Sequence, residues 1–387
     1  MIDLPERAPG AVSLLTRARG NAYVRALAVY LGVQALGVLV LALLSAWHGL
    51  GLLDRLTAWD GKWYLDIAAN GYDGVSGHTP SFEHAALAFF PLYPLLIMLF
   101  SGIPGVTPVA AALTISVSAG ATAACGIVRL ARAVDARPGV GLLLVALWAG
   151  APMAIVLSMA YTEALFSALA VWALVGLLER NWLLAAMCCL LAGTVRPVGG
   201  ALIVTVAVAA LYTAWRESGS QRWKALGCLV TCPLGLVGYW TYVAVRTGDV
   251  TGWSDIEQRG WGMGFDFGLE TAQWLVRTLA TGSSVMTTGG MVLLLAAVVL
   301  LLVGVARRLP WQLSLYAAGI VAMVVGTGGL PMTKPRLLLV AMFVLALPIA
   351  VGLANREWAA RLGGAAALIV MGVWFSAYAL TGWQFTI

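Results

Sequence analysis

Charge is what this sequence has least of. Only 10% of its 387 residues are Asp, Glu, Lys or Arg, against 61% hydrophobic, where a soluble domain carries roughly 25% charged residues. So few charges cannot cover a folded surface in water, which excludes a soluble or secreted domain and makes lipid the solvent. Cysteine is scarce and badly placed for chemistry. Cys125, Cys188, Cys189, Cys228 and Cys232 all lie in or beside apolar runs, and no CxxC occurs. That argues against a disulfide or zinc framework. The three histidines, His48, His78 and His84, have no zinc-ligand spacing, so neither a metal site nor a cofactor is expected. No cleavable signal peptide is expected either: the first apolar run starts near Val24 and no small-residue cleavage site with a soluble domain follows it. Polar/apolar alternation is absent from the apolar runs, which excludes a membrane barrel and leaves helices. Nothing points to a nucleic-acid partner.

What the chain has in abundance is apolar runs near the length needed to cross a bilayer, about 20 residues. They fall at 24–46, 106–130, 139–158, 163–179, 182–195, 197–214, 225–245, 284–305, 311–328, 336–353 and 362–380. The fold class expected is an all-α polytopic membrane protein with about eleven transmembrane helices. Residues 1–23 form a cytoplasmic N-terminal segment in this reading, and 24–387 a single transmembrane domain. The stretch 85–100 is short and holds Pro91 and Pro94, so it reads as an interfacial piece rather than a span. Charge agrees. With Arg7, Arg17, Arg19 and Arg25 inside, the clusters Arg129/Arg132/Arg137, Arg216/Arg222/Lys224, Arg307/Arg308 and Arg356/Arg361 also fall inside, as the positive-inside rule requires. If 85–100 spanned, they would fall outside.

Two outer loops are long, about 47–105 and 246–283, and long loops on a rigid scaffold tend to hold function. In the first, Trp59 to Asn70 reads as a short amphipathic helix lying at the interface, stopped at Asn70-Gly71. Asp60 stands at its start, where a plain N-cap would also suit it. Asp66 and Asp73 read as solvated loop charges. Glu163, in a turn with Ser158, Tyr161 and Thr162, is a carboxylate near the membrane and so a functional candidate, or else the partner of Arg196 or a helix cap. Arg196, Lys334 and Arg336 lie at outer helix ends, away from most other cations, where snorkelling to lipid headgroups is the plain alternative. In the second loop, Trp253, Asp255, Glu257, Arg259, Trp261 and Asp266 would suit a sugar platform, a mobile lid or simply an interfacial loop.

Trp59-Asp60-Gly61 with Tyr64, Ile67-Ala68 and Gly71-Tyr72 resembles the first-loop motif of the PIG-V-type mannosyltransferases, of the GT-C superfamily of membrane glycosyltransferases. Phe89-Phe90-Pro91-Leu92-Tyr93-Pro94 is similar to that family's FFPxYP segment. Tyr161-Thr162-Glu163-Ala164-Leu165-Phe166, Thr194-Val195-Arg196-Pro197-Val198-Gly199 and Lys334-Pro335-Arg336 resemble three further elements in the same order. The resemblance spans roughly residues 55 to 340. It implies a GT-C-like bundle with interfacial helices in the first extracytoplasmic loop. It also implies an inverting mannosyltransferase that uses polyprenyl-phosphate mannose, acts on a lipid or lipid-linked acceptor in glycolipid biosynthesis, and needs no divalent metal. The resemblance also places the active site on the extracytoplasmic side, and the arginine-rich, lysine-poor composition suits a bacterial protein, hence a bacterial plasma membrane.

On that reading Asp60 is the base that takes the acceptor proton. Trp59, Lys62, Tyr64, Tyr161, Glu163, Arg196, Lys334 and Arg336 are the candidate substrate-binding residues, the cations meeting the donor phosphate. Two other activities stay open. A protein O-mannosyltransferase or another polyprenyl-phosphate-sugar transferase ranks lower, because the first would usually have an Asp-Glu pair where Asp60 is followed by Gly61. A secondary transporter would show symmetric halves and midplane charges, whereas the ionisable residues here gather at helix ends.

Overall fold

In a computed structural model the structure describes residues 9–78, 80–282 and 284–383; Arg7 and the last four residues of the expected transmembrane domain lie outside them. The chain is a bundle of helices. It opens with α1 (Pro9–Trp47), followed by α2 (Leu52–Leu56), α3 (Asp60–Asn70), α4 (Leu92–Ser101), α5 (Pro108–Val134) and α6 (Pro138–Ala149). The middle is α7 (Glu163–Leu178), α8 (Trp182–Gly193), α9 (Gly199–Arg216), α10 (Gly219–Thr231), α11 (Leu234–Thr247), α12 (Gly252–Trp261) and α13 (Leu269–Thr281). It closes with α14 (Val285–Ala306), α15 (Trp311–Gly326), α16 (Lys334–Leu345), α17 (Leu347–Ala354) and α18 (Trp358–Thr381). Among the described residues the only β pairing is an isolated bridge between Phe265 and Thr327.

Each of the eleven expected apolar runs coincides with a helix or a pair of helices. Among the described residues six helical segments are long and apolar enough to cross a bilayer unaided, and α16 with α17, bent by 47°, makes a seventh when the pair is taken as one span. The bend falls just before Pro348, whose ring removes a backbone donor and disfavours a straight continuation. The run 139–158 is likewise broken. Its helix ends at Ala149, and after Gly150 and Pro152 the chain resumes as a 3-10 turn, Ala154–Ser158. At about 1.5 Å per residue the 12 residues of α8 extend only ~18 Å, short of the roughly 30 Å hydrocarbon core. The short helices stop inside the protein, where side chains and neighbouring backbone can meet their end groups.

The stretch read as interfacial forms a buried 3-10 turn, Ala85–Ala88, and then α4, whose 10 residues reach about 15 Å. Leu95, Met98, Leu99 and Phe100 leave α4 with one exposed apolar face, while its other face packs on α3 and α5. Both ends of the bundle carry ion pairs. α7 runs from Glu163 at one end to a pair between Arg129 and Glu179 at the other, where Arg180–Glu217 and Arg137–Asp135 also pair.

Helix approach is set by small residues, as is usual where lipid supplies little hydrophobic drive. A Cβ added to Gly235 of α11 would stand 1.9 Å from the Leu190 carbonyl oxygen of α8, whereas one on Gly238 would meet nothing within 4 Å. Gly235→Ala should therefore force the helices apart and lower the melting temperature of the detergent-solubilised protein by about 2–6 °C. Gly238→Ala should leave it unchanged or slightly raised. Equal behaviour of the two variants would show that the crossing is not close-packed.

Candidate active site

Four charged side chains from four separate places meet at one end of the bundle. Asp60 is the first residue of α3, Glu163 the first of α7, Arg196 stands in the turn between α8 and α9, and Arg336 is in the first turn of α16. Arg336 Nη1 donates to Asp60 Oδ2 at 2.5 Å, and its Nε lies 3.7 Å from Glu163 Oε1. Arg196 Nη1 lies 2.6 Å from the same Glu163 oxygen and donates to Thr162 Oγ1 at 2.8 Å. Glu163 is completely buried and both arginines nearly so, while the Asp60 side chain keeps 23% exposure. Burying one carboxylate here without cations would cost several kcal/mol, so the two arginines are what allow Glu163 to sit inside. Arg336 also lies over the Tyr161 ring, 5.1 Å from its centre, a cation–π contact.

Local sequence explains why Asp60 points to Arg336 and does not cap its own helix. The N-cap of α3 is Trp59, and no side chain caps it. Trp59 has φ +48°, ψ −112°, a strained conformation for a residue with a Cβ, which turns the chain sharply into α3. Gly61 lets the helix start press on the next wall: an added Cβ would meet Ala160 Cβ and its carbonyl oxygen at 3.3 Å. A backbone bond from Ala160 N–H to the Leu56 carbonyl, 2.9 Å, fixes the same approach.

The proline-aromatic segment after the 3-10 turn builds the wall behind. The Tyr93 hydroxyl meets the Ala112 carbonyl at 3.0 Å and Ser116 Oγ at 2.8 Å, and Ser116 Oγ donates to the Tyr161 carbonyl at 3.2 Å. Leu92 N–H donates to the Thr194 carbonyl at 3.0 Å, tying this segment to the turn that carries Arg196. The Tyr239 hydroxyl of α11 meets the Phe89 carbonyl at 2.8 Å, as does that of Tyr72. Tyr64, buried in α3, packs edge-on against Phe89 and Tyr93.

These walls enclose a cavity of about 410 Å³ lined by Asp60, Tyr64, Arg196 and Arg336 together with Trp253, Glu257 and Trp261 of α12. The second long loop is thus a wall of the site. Trp261 stacks edge-on to Trp63 and Phe89, and Trp253 to Phe90. Glu257 is half-buried between these tryptophans. Burial, and secondly the neighbouring Asp60 charge, push its pKa up to about 8, against the opposing pull of Arg196 and Arg336. Asp255, two residues away, accepts from Thr251 Oγ1 at 2.9 Å and is exposed, so the two acids do not share a site. Among the described residues no group of three His, Cys, Asp or Glu side chains is arranged to hold a metal ion.

Of the residues singled out from sequence, Asp60, Tyr64, Arg196 and Arg336 line the cavity. Glu163 and Tyr161 stand directly behind it, bound to Arg196 and Arg336. The other three lie elsewhere. Lys62 is exposed, and Trp59 packs against the main core. Lys334 is buried, with Nζ donating to the Val324 and Thr327 carbonyls at 2.7 and 2.6 Å, which satisfies orphan carbonyls at the end of α15. Glu257, noted from sequence only as one of several second-loop residues that would suit a sugar platform or a lid, lines the cavity too. Its signal was the spacing Trp253-Glu257-Trp261, which puts the acid on the aromatic face of α12 and Asp255 off it.

The helical bundle with its charged cavity at one end is the fold of an all-α, multi-pass membrane protein. Among solved structures it is similar to ArnT from Cupriavidus metallidurans bound to undecaprenyl phosphate, with a TM-score of 0.55 and 16% sequence identity over 87% of this chain and 63% of that one. The chain thus spans less than two thirds of the length of ArnT, and at this identity the likeness is one of fold. No protein-family description and no curated protein matches the sequence.

Because Glu163 holds both arginines, Glu163→Ala and Arg196→Ala should each destabilise the protein by about 3–5 kcal/mol. The double variant should lose clearly less than the sum. Denaturant melts in detergent measure all three, and additive losses would show that the pair does not act as a unit.

Proposed function

We propose that this chain is a multi-pass membrane glycosyltransferase that moves a sugar from a polyprenyl-phosphate carrier to a hydroxyl of a lipid or lipid-linked acceptor. Mannose is the sugar proposed, from the resemblance of the first-loop, Tyr161–Phe166, Arg196 and Lys334–Arg336 segments to the PIG-V-type enzymes. The observation that carries the proposal is the joining of Asp60 to Arg336, with Arg196 beside them, on the wall of one cavity. A part-exposed carboxylate and two buried guanidinium groups are the base and the anion-binding groups that glycosyl transfer from a phosphate carrier needs. The likeness in fold to a protein solved with undecaprenyl phosphate supports a carrier of that kind.

In the proposed reaction Asp60 accepts the proton of the acceptor hydroxyl as its oxygen bonds to the sugar C1. The bond from C1 to the phosphate oxygen breaks, and its electron pair stays on the phosphate. Attack from the face opposite the phosphate inverts the anomeric centre. Arg336 and Arg196 stabilise the charge that grows on the leaving phosphate. A guanidinium has five N–H donors, so Arg336 can hold Asp60 and a phosphate oxygen together. Glu163 fixes both arginines before substrate arrives.

The carrier chain needs an apolar path. A second cavity of about 660 Å³ runs beside the first, lined by Ile67, Tyr72, Pro91, Pro94, Leu234 and Tyr239 among others. It shares α3, the proline-aromatic segment and the α8–α9 turn with the charged cavity, which supports a lipid chain lying there. The site would face the extracytoplasmic side of a bacterial plasma membrane, following the distribution of arginine clusters.

A transfer assay with purified protein, radiolabelled polyprenyl-phosphate mannose and membrane lipid acceptors tests the proposal. The parent should form a labelled lipid. Asp60→Asn should lower kcat by about 10²–10⁴-fold, the span typical of a lost general base, and Arg336→Ala should impair both donor KM and kcat. Full activity of Asp60→Asn would make another group the base. No transfer from any polyprenyl-phosphate sugar would remove the transferase reading.

A further inference from the structure

Glu257 is the one cavity acid that the proposed reaction leaves without a task. Asp60 is bound by Arg336, and Glu163 by Arg196 and Arg336. Glu257 lines the same cavity and, among the described residues, has no ion pair or hydrogen bond from its carboxyl group. It is also held in place. Trp253 and Trp261, one turn before it and one turn after, pack against Phe90, Phe89 and Trp63. Together these contacts fix the face of α12 that Glu257 shares.

The charges around it restrict what it can do. Asp60 from α3, Arg196 from the α8–α9 turn and Arg336 from α16 are the charged groups that act on it. On its own helix, Asp255 turns back to Thr251 and Arg259 lies over the Phe82 ring. On the elements packed against α12, Arg246 of α11 pairs with Asp73, and His84 next to the 3-10 turn pairs with Glu83. Two arginines already balance Asp60 and Glu163, so an ionised Glu257 would make the cavity net negative. An anionic carrier would meet repulsion there. An uncharged carboxyl adds an O–H donor and no repulsion.

We infer that Glu257 is a carrier-phosphate-binding residue that donates a hydrogen bond from its carboxyl O–H to a phosphate oxygen, beside the guanidinium groups of Arg336 and Arg196. This rests on the functional reading above, because the ligand it names is the carrier of that reaction. Its pKa of about 8 makes the donor form predominant at neutral pH and scarce at pH 9.5. Undecaprenyl phosphate, a monoester with a second pKa near 6, is already ionised over the range that matters, as is the sugar-bearing diester.

The test is the affinity of the purified full-length protein for undecaprenyl phosphate between pH 7.5 and 9.5, for the parent and for Glu257→Gln, with melting temperatures at each pH to confirm folding. If only the protonated form binds, the parent should weaken by roughly 20- to 30-fold across that range, as its competent fraction falls. Glu257→Gln keeps an uncharged donor at every pH. It should bind a few-fold more weakly at pH 7.5 and then stay flat. A parent affinity that does not change with pH overturns the inference, and so does a Glu257→Gln profile as steep as the parent's. Either result leaves the transferase reading intact. A parent that binds no undecaprenyl phosphate at any pH overturns the carrier-phosphate site and this inference with it.

Discussion

A buried glutamate held between two arginines is the constraint on which the rest of the site depends. Glu163 has no access to solvent, and Arg196 and Arg336 come to it from different parts of the chain. In a low-dielectric interior none of the three is tolerable alone, and their mutual pairing is what makes the site a fixed object. Arg336 then has a free side to present to Asp60, so the first loop is anchored on the charge network. α3, α7, the α8–α9 turn and the start of α16 each end at this point because each delivers one member of it.

The membrane sets the second constraint. Backbone ends inside a bilayer must find partners within the protein, and the short helices here find them around the site. Lys334 is the clearest case. Its ammonium group is spent on the Val324 and Thr327 carbonyls at the end of α15, so of the two cations that open α16 it is Arg336 that lines the cavity, with Arg196. Tyr93, Ser116 and Tyr239 do similar work for the carbonyls of Ala112 in α5, Tyr161 and Phe89. These carbonyls of the cavity wall are thus bonded within the protein.

Much of the bundle was legible in the sequence, since continuous apolar runs carry their own length and the prolines at 91 and 94 mark a piece too short to span. The breaks were less so. Pro348 and the Gly150–Pro152 pair sit inside runs whose hydropathy does not fall, and the bend there is a local backbone effect that an apolar average hides. The short amphipathic helix after Trp59 was legible from its aromatic spacing, but its strained entry was not, and that entry frees Asp60 from a capping role. Asp60, Glu163, Arg196 and Arg336 stood out as charges where charge is expensive. That Asp60 meets Arg336, 276 positions away, is set by tertiary packing and has no local signature. Glu257 posed the opposite problem. In a polar loop one acid looks like the next, Asp255 included, and only the tryptophans four residues on either side tell which of them faces the site.

The most direct measurement of the central claim is a structure of the Asp60→Asn protein in lipid with an intact polyprenyl-phosphate sugar bound. The account predicts the phosphate in hydrogen-bond contact with Arg336 and Arg196, the sugar C1 turned toward residue 60, and the carrier chain leaving along the apolar cavity beside α3. A phosphate bound away from both arginines would contradict it.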